Sequence, residues 1–94
     1  MLFRSQVVAT ALVDERLAAC VSRLPGIRST YRWQGTVTTD REELLLIKTT
    51  AARFDALKGR LLQLHPYELP ELIAVPVEFG HTAYLDWIQQ TVGD

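Results

Sequence analysis

From Ile27 onward the chain alternates: Ile27, Ser29, Tyr31 and Trp33 fall on one side, and Arg28, Thr30, Arg32 and Gln34 on the other. A period of two, rich in aromatic residues, predicts a strand with one wet face. Gly35 and the Thr38-Thr39-Asp40-Arg41 stretch offer turn chemistry. Glu43 to Thr49 then carries Leu44-Leu45-Leu46-Ile47 at consecutive positions, as in a strand covered on both faces. A hairpin is the economical connection between the two. Helical spacing appears three times. Val8, Ala11 and Leu12 follow Ser5, a candidate N-cap, and Asp14-Glu15-Arg16 ends the run. Phe54, Leu57, Leu61 and Leu64 recur at i, i+3, i+7 and i+10, and His65-Pro66 closes that helix. Tyr84, Leu85, Ile88 and Val92 form the last stripe, after Gly80. Leu17 to Leu24 has its own periodicity, ended by a Pro25-Gly26 break. Leu69 to Val77 reads as a third strand, with Pro70 and Pro76 at positions that need no ladder donor.

The order is helix, strand, strand, helix, strand, helix. One strand ahead of the first helix would complete the βαββαβ ferredoxin-like arrangement. Met1 to Arg4 is too short to supply it, so the expectation is an α+β sandwich with the first β-strand missing from this sequence. Ninety-four residues without repeat or linker fit one domain, residues 1–94.

Ten Lys and Arg against eleven Asp and Glu give a formal charge of −1. That balance argues against nucleic acid and a polybasic membrane anchor. The longest apolar stretch, Leu17 to Val21, is far below the roughly 18 residues of a membrane span. No export signal is visible, and the single cysteine, Cys20, suits a reducing compartment, so a cytoplasmic location is expected. A chain this short buries only about 60–65% of its unfolded surface, and oligomerisation is an ordinary remedy.

The chemistry-bearing residues are few. Cys20 alone reads first as a buried small hydrophobe; as a soft ligand, with an imidazole or carboxylate beside it, it suits copper or another transition metal. His65, Tyr67, Glu68 and Glu71 place an imidazole, a phenol and two carboxylates within seven residues, stiffened by Pro66 and Pro70. The plainer alternative is a helix-to-strand corner, with a proton on His65 mildly favoured by the helix C-terminus. Lys48, at the end of an apolar strand, reaches solvent or pairs with Glu68 or Glu71. His81 reads as a solvated helix-start residue. Tyr31 and Trp33 share a strand face and are assigned to a subunit interface. There is no phosphate loop, nucleophile elbow or His-x-x-x-His helix, so an enzyme is not expected and no organic cofactor is predicted.

Leu17-Ala18-Ala19-Cys20-Val21, Pro25-Gly26-Ile27, Tyr31-Arg32-Trp33-Gln34-Gly35, Leu45-Leu46-Ile47-Lys48-Thr49 and His65-Pro66-Tyr67-Glu68-Leu69-Pro70-Glu71 stand in an order that resembles the CutA divalent-cation tolerance proteins. Ile73-Ala74-Val75-Pro76-Val77 and Tyr84-Leu85-Asp86-Trp87-Ile88 continue it, so that the resemblance runs over roughly residues 5 to 92. It implies a PII-like, ferredoxin-like subunit in a tight homotrimer, with a role in divalent metal tolerance, copper included, and no established catalysis. It also implies that the His65–Glu71 motif lies by a cleft between subunits, where Lys48 and Tyr67 would meet a ligand. A signalling scaffold that binds a small anion or a partner protein in that cleft is the alternative.

Overall fold

The computed structural model describes residues 2–65 and 69–93; Pro66, Tyr67 and Glu68 lie outside them. Helix α1 spans Leu2–Asp14, strand β1 Cys20–Trp33, strand β2 Thr36–Lys48, helix α2 Phe54–Leu64 and helix α3 Thr82–Val92, with a 3-10 turn at Ala51–Arg53 ahead of α2. This is an α+β arrangement of helices on an antiparallel pair of strands. No helix among the described residues is long and apolar enough to cross a membrane.

The hairpin is longer than the sequence pattern suggests. Trp33 pairs with Thr36, so the connection is Gln34-Gly35, at φ 51° and 82°. Two positive φ values make the two-residue turn whose twist matches that of the strands. Thr38 to Arg41, read above as turn chemistry, therefore lies inside β2. Pro25-Gly26 likewise does not end a strand. Leu24 pairs with Leu44 and Ile27 with Glu42, so two residues of β1 oppose Glu43 alone. This is a β-bulge, where a proline loses no ladder bond and Gly26 takes φ 80°.

Because side chains alternate faces, one extra residue on β1 switches which of its positions face which way. Before the bulge Cys20, Ser22 and Leu24 share a face with Lys48, Leu46 and Leu44; after it Ile27, Ser29, Tyr31 and Trp33 continue that face with Glu42, Asp40, Thr38 and Thr36. The opposite face carries Val21, Leu45 and Ile47, which pack on the helices.

Val8, Leu12, Ala18, Leu57 and Leu61 are the buried centre, with Leu17, Leu64 and Leu72 around it. Ile88, Val92 and Ala19 form a second, smaller cluster with Leu85. Helix α1 begins before Ser5, so Ser5 is not its cap. Its hydroxyl instead donates to Glu43, while Arg23 approaches Ser5 Oγ at 3.4 Å and the Glu43 carboxylate at 3.8 Å, tying helix to hairpin beside the bulge. At the other end Leu17 N–H donates to Leu12 C=O (2.9 Å) and Arg16 N–H to Val13 C=O (3.1 Å), a Schellman closure with Arg16 at φ 60°. Helix α2 stops at Leu64, where His65 turns extended (ψ 129°) as a residue before proline must.

Leu69 to Val77 is not a strand of the sheet: no described strand pairs with it. Extended-strand residues need a ladder neighbour, and the prolines at 70 and 76 remove two donors that could recruit one. Leu72 packs on the main cluster, while the other large apolar side chains stay in solvent, with Ile73 77% and Val75 81% exposed.

Two stability changes follow. Leu57→Ala opens a cavity at the centre of the main cluster and lowers the unfolding free energy by about 2–5 kcal/mol. Arg16→Gly relieves the left-handed residue and raises it by about 1 kcal/mol. Urea unfolding followed by circular dichroism measures both; a neutral Arg16→Gly variant would refute strain at that helix end.

Candidate functional site

Cys20 and Lys48 lie at the base of the hairpin, on the face opposite the one that packs on the helices. Two bonds fix the chain there. Ala19 N–H donates to the Lys48 carbonyl (2.8 Å), and the Thr49 hydroxyl donates to the Leu17 carbonyl (2.7 Å). Cys20 and Lys48 thus stand directly opposite each other as the last pair of the ladder.

The Lys48 ammonium donates to Ser22 Oγ at 2.7 Å and to the Leu46 carbonyl at 3.1 Å. Cys20 Sγ lies 4.0 Å from the same Ser22 oxygen. Ser22 therefore links thiol and ammonium. The sequence pattern does not single out Ser22; two-residue alternation from Cys20 within β1 is the signal that places it. Glu71 is not the partner of Lys48, contrary to one expectation; a serine hydroxyl and a carbonyl hold the ammonium instead. The Glu68 alternative lies outside the described residues.

His65 caps the C-terminal end of α2, its N–H donating to the Leu61 carbonyl at 2.8 Å. Its imidazole pKa is pushed below the ordinary 6.5, chiefly by burial, with a neighbouring positive charge acting in the same sense. The mild favouring of a proton expected from the helix end is therefore overruled by desolvation. A neutral imidazole is the form that ligates a metal.

Glu71 is exposed, beyond the undescribed Tyr67 and Glu68. His81 is also exposed, just before α3. Among the described residues no three of His, Cys, Asp and Glu come together as a metal site. A groove along α1, lined by Ala9, Thr10, Val13, Asp14 and Val21, holds none of the candidate ligands.

Above Cys20 and Lys48 the same face is uncovered, with leucines near the base, Glu42 and Asp40 in the middle and two aromatic rings near the tip. Leu24, Leu44 and Leu46 are 42–51% exposed, and Tyr31 and Trp33 near the tip are 39% and 38% exposed. The Tyr31 hydroxyl donates to Asp40, which leaves the ring lying across the face. Tyr84 and Trp87 stack on each other on α3, 5.6 Å between centroids, apart from this surface in sequence and element.

Residues 4–91 match the family described as CutA1 divalent ion tolerance protein. The divalent-cation tolerance protein CutA of Thermus thermophilus is 52% identical over 89 residues, covering 95% of this chain and 86% of that protein. The chloroplastic protein CutA 1 of rice is 45% identical over 84 residues, covering 89% of this chain; the chain spans about half, 48%, of that relative's length. The solved Thermus thermophilus structure superposes with a TM-score of 0.96 at 49% identity, over 99% of this chain and 90% of the other. The PII-like protein CutA from Nostoc sp. PCC 7120, in its apo form, gives 0.87 at 33% identity, over 94% and 86%.

The shifted imidazole makes a pH prediction. A base whose pKa is lower folded than unfolded stabilises the fold above the unfolded value, and that contribution is lost as pH falls through the folded value. The melting temperature should drop as pH is lowered below 6.5, and His65→Gln should flatten the drop. A proton-NMR titration that puts His65 above 6.5 would contradict the burial argument.

Proposed function

The chain belongs to the CutA1 divalent ion tolerance family, and from that premise we propose that it acts as a non-enzymatic, homotrimeric metal-binding protein whose subunits meet on the open face of the hairpin. The observation that carries this reading is the position of Cys20: the only thiol opens onto the same uncovered face as Leu24, Leu44, Leu46, Tyr31 and Trp33. Several large apolar side chains exposed on one face of a small chain mark an interaction site. Closing it with copies of the same chain places the thiol at a seam. Each subunit then supplies part of a donor set that no single chain assembles among its described residues.

In this reading Cys20, His65, Glu68 and Glu71 are the metal ligands. Thiolate and imidazole donors suit copper, and the neutral state of His65 leaves its lone pair available. Tyr31 and Trp33 form the interface, where each ring contributes large apolar area and one polar group. The role in divalent-cation tolerance is then sequestration or sensing rather than turnover, in a reducing cytoplasm that keeps the free thiol reduced.

One observation favours a second reading. Lys48 projects its ammonium onto the same face, held by a hydroxyl and a carbonyl rather than a carboxylate. In this reading Lys48 and Tyr67 would be the residues that meet a small anion in a subunit cleft, as in a PII-like signalling scaffold.

Light scattering should give three times the chain mass for the parent protein, and Tyr31→Ser with Trp33→Ser should shift it toward the monomer. Calorimetry should show stoichiometric, submicromolar copper binding that is lost in a Cys20→Ser, His65→Gln variant. Trimeric protein without copper binding would move the assignment to the anion reading; a monomer with both rings still solvated would remove both.

A further inference from the structure

The other face of the hairpin has a different chemistry. Beyond the part covered by the helices, the register sets Arg28 directly opposite Arg41, then Thr30 opposite Thr39, then Arg32 opposite Val37. All six side chains are exposed. Directly opposed residues have Cβ atoms about 4.5–5.5 Å apart, so the two arginines rise from adjacent positions, and like charges in that relation repel.

Nothing in the described chain neutralises them. The carboxylates of this part of β2, Asp40 and Glu42, project to the opposite face, and Glu43 is engaged by Arg23 and Ser5. Among the described residues Arg28 and Arg41 make no ion pair or hydrogen bond, and Arg32 donates only to the Gly35 carbonyl, at 3.4 Å. Three positive charges thus stand in one strip of a chain whose net charge is −1. Between them the Thr30 and Thr39 hydroxyls are 2.9 Å apart. One proton serves their mutual bond, which leaves the other hydroxyl proton to donate outward.

A protein partner fits this strip poorly. Val37 is its one apolar side chain, so the strip offers no apolar centre of the kind a stable protein interface buries. An anion fits it well. Guanidinium forks bind phosphate oxygens in pairs, and threonine hydroxyls add neutral donors. Arg28 and Arg32 are four strand residues apart, about 13 Å along the backbone, too far for one phosphate to bridge and suited to a short chain of them.

We propose that this strip binds a linear oligophosphate. Arg28 and Arg41 clamp one terminal phosphate, the threonine pair donates to the middle of the chain, and Arg32 reaches the far end. The site shares no residue with the metal ligands or the apolar face, so it stands or fails independently of the trimer and of copper.

The test is calorimetric titration of the intact protein with inorganic tripolyphosphate at low salt. Arg28→Gln with Arg41→Gln is the site variant, and Lys58→Gln, on the exposed side of α2, is the charge control. The expected result is saturable binding of one tripolyphosphate per chain, weakened at least tenfold in the double variant and within twofold of the parent in the control. Orthophosphate should bind at least tenfold more weakly than tripolyphosphate. Removing the opposed charges should also leave the melting temperature unchanged or higher, which separates lost binding from lost folding. Equal affinity in parent and double variant, no preference over orthophosphate, or no binding at millimolar tripolyphosphate would each overturn the proposal. A double variant that dissociates in light scattering would overturn it too, by showing the strip to be a subunit seam.

Discussion

The single extra residue in β1 governs the rest of the molecule. Strand side chains alternate without exception, so a hairpin keeps two chemically distinct faces only if both strands stay in phase. In β1 the outer-face residues are the even-numbered Cys20, Ser22 and Leu24 before the bulge and the odd-numbered Ile27, Ser29, Tyr31 and Trp33 after it. Without the Pro25-Gly26 bulge, Tyr31 and Trp33 would emerge on the side of Val21, and the arginines would share a face with Cys20. With it, one face runs uninterrupted from thiol to aromatic tip, and the other from core to cationic strip. Gly26 at φ 80° makes this inexpensive, because a side chain there would strain the backbone.

The distribution of burial explains why one subunit is an incomplete answer. The main cluster is small and is built largely by α1 and α2 against the inner face of the hairpin base. Most large apolar side chains of β1, β2 and the 69–79 segment remain accessible. For a chain of this length the area removed from water is already modest. Association that covers the outer face adds burial without lengthening the chain, and it costs no further backbone ordering where the strands are already paired.

The helices were legible in the sequence because their stripes are strict: Phe54, Leu57, Leu61 and Leu64 describe α2 almost residue by residue, and His65-Pro66 marks its end. The hairpin was legible in kind but not in extent. Thr38 to Arg41 carry polar residues favoured in turns, and only the positive φ pair at Gln34-Gly35 shows that the chain reverses earlier. Pro25-Gly26 reads as a stop in one dimension and as a phase correction in two. The site was visible as residue types, Cys20 and Lys48, whereas their placement opposite each other depends on register, which no local pattern states. Ser5 misled for a related reason: a serine near a helix start is usually a cap, and here its partner is 38 residues away. The 69–77 segment shows the converse, since alternation and β-branched residues make a strand only when a neighbour offers its own edge.

Helix α3 is attached to the rest by a separate, small contact. Leu85, Ile88 and Val92 pack with Ala19 rather than in the main cluster, and Arg53 Nε donates to the Val92 carbonyl at 2.7 Å, where the last carbonyls of the helix gain from a cation. A unit held this way opens at a lower free energy than the α1–α2–hairpin body and does so as one piece. A substitution in that small cluster therefore loosens α3 first and leaves the two-faced ribbon, which rests on the main cluster, in place.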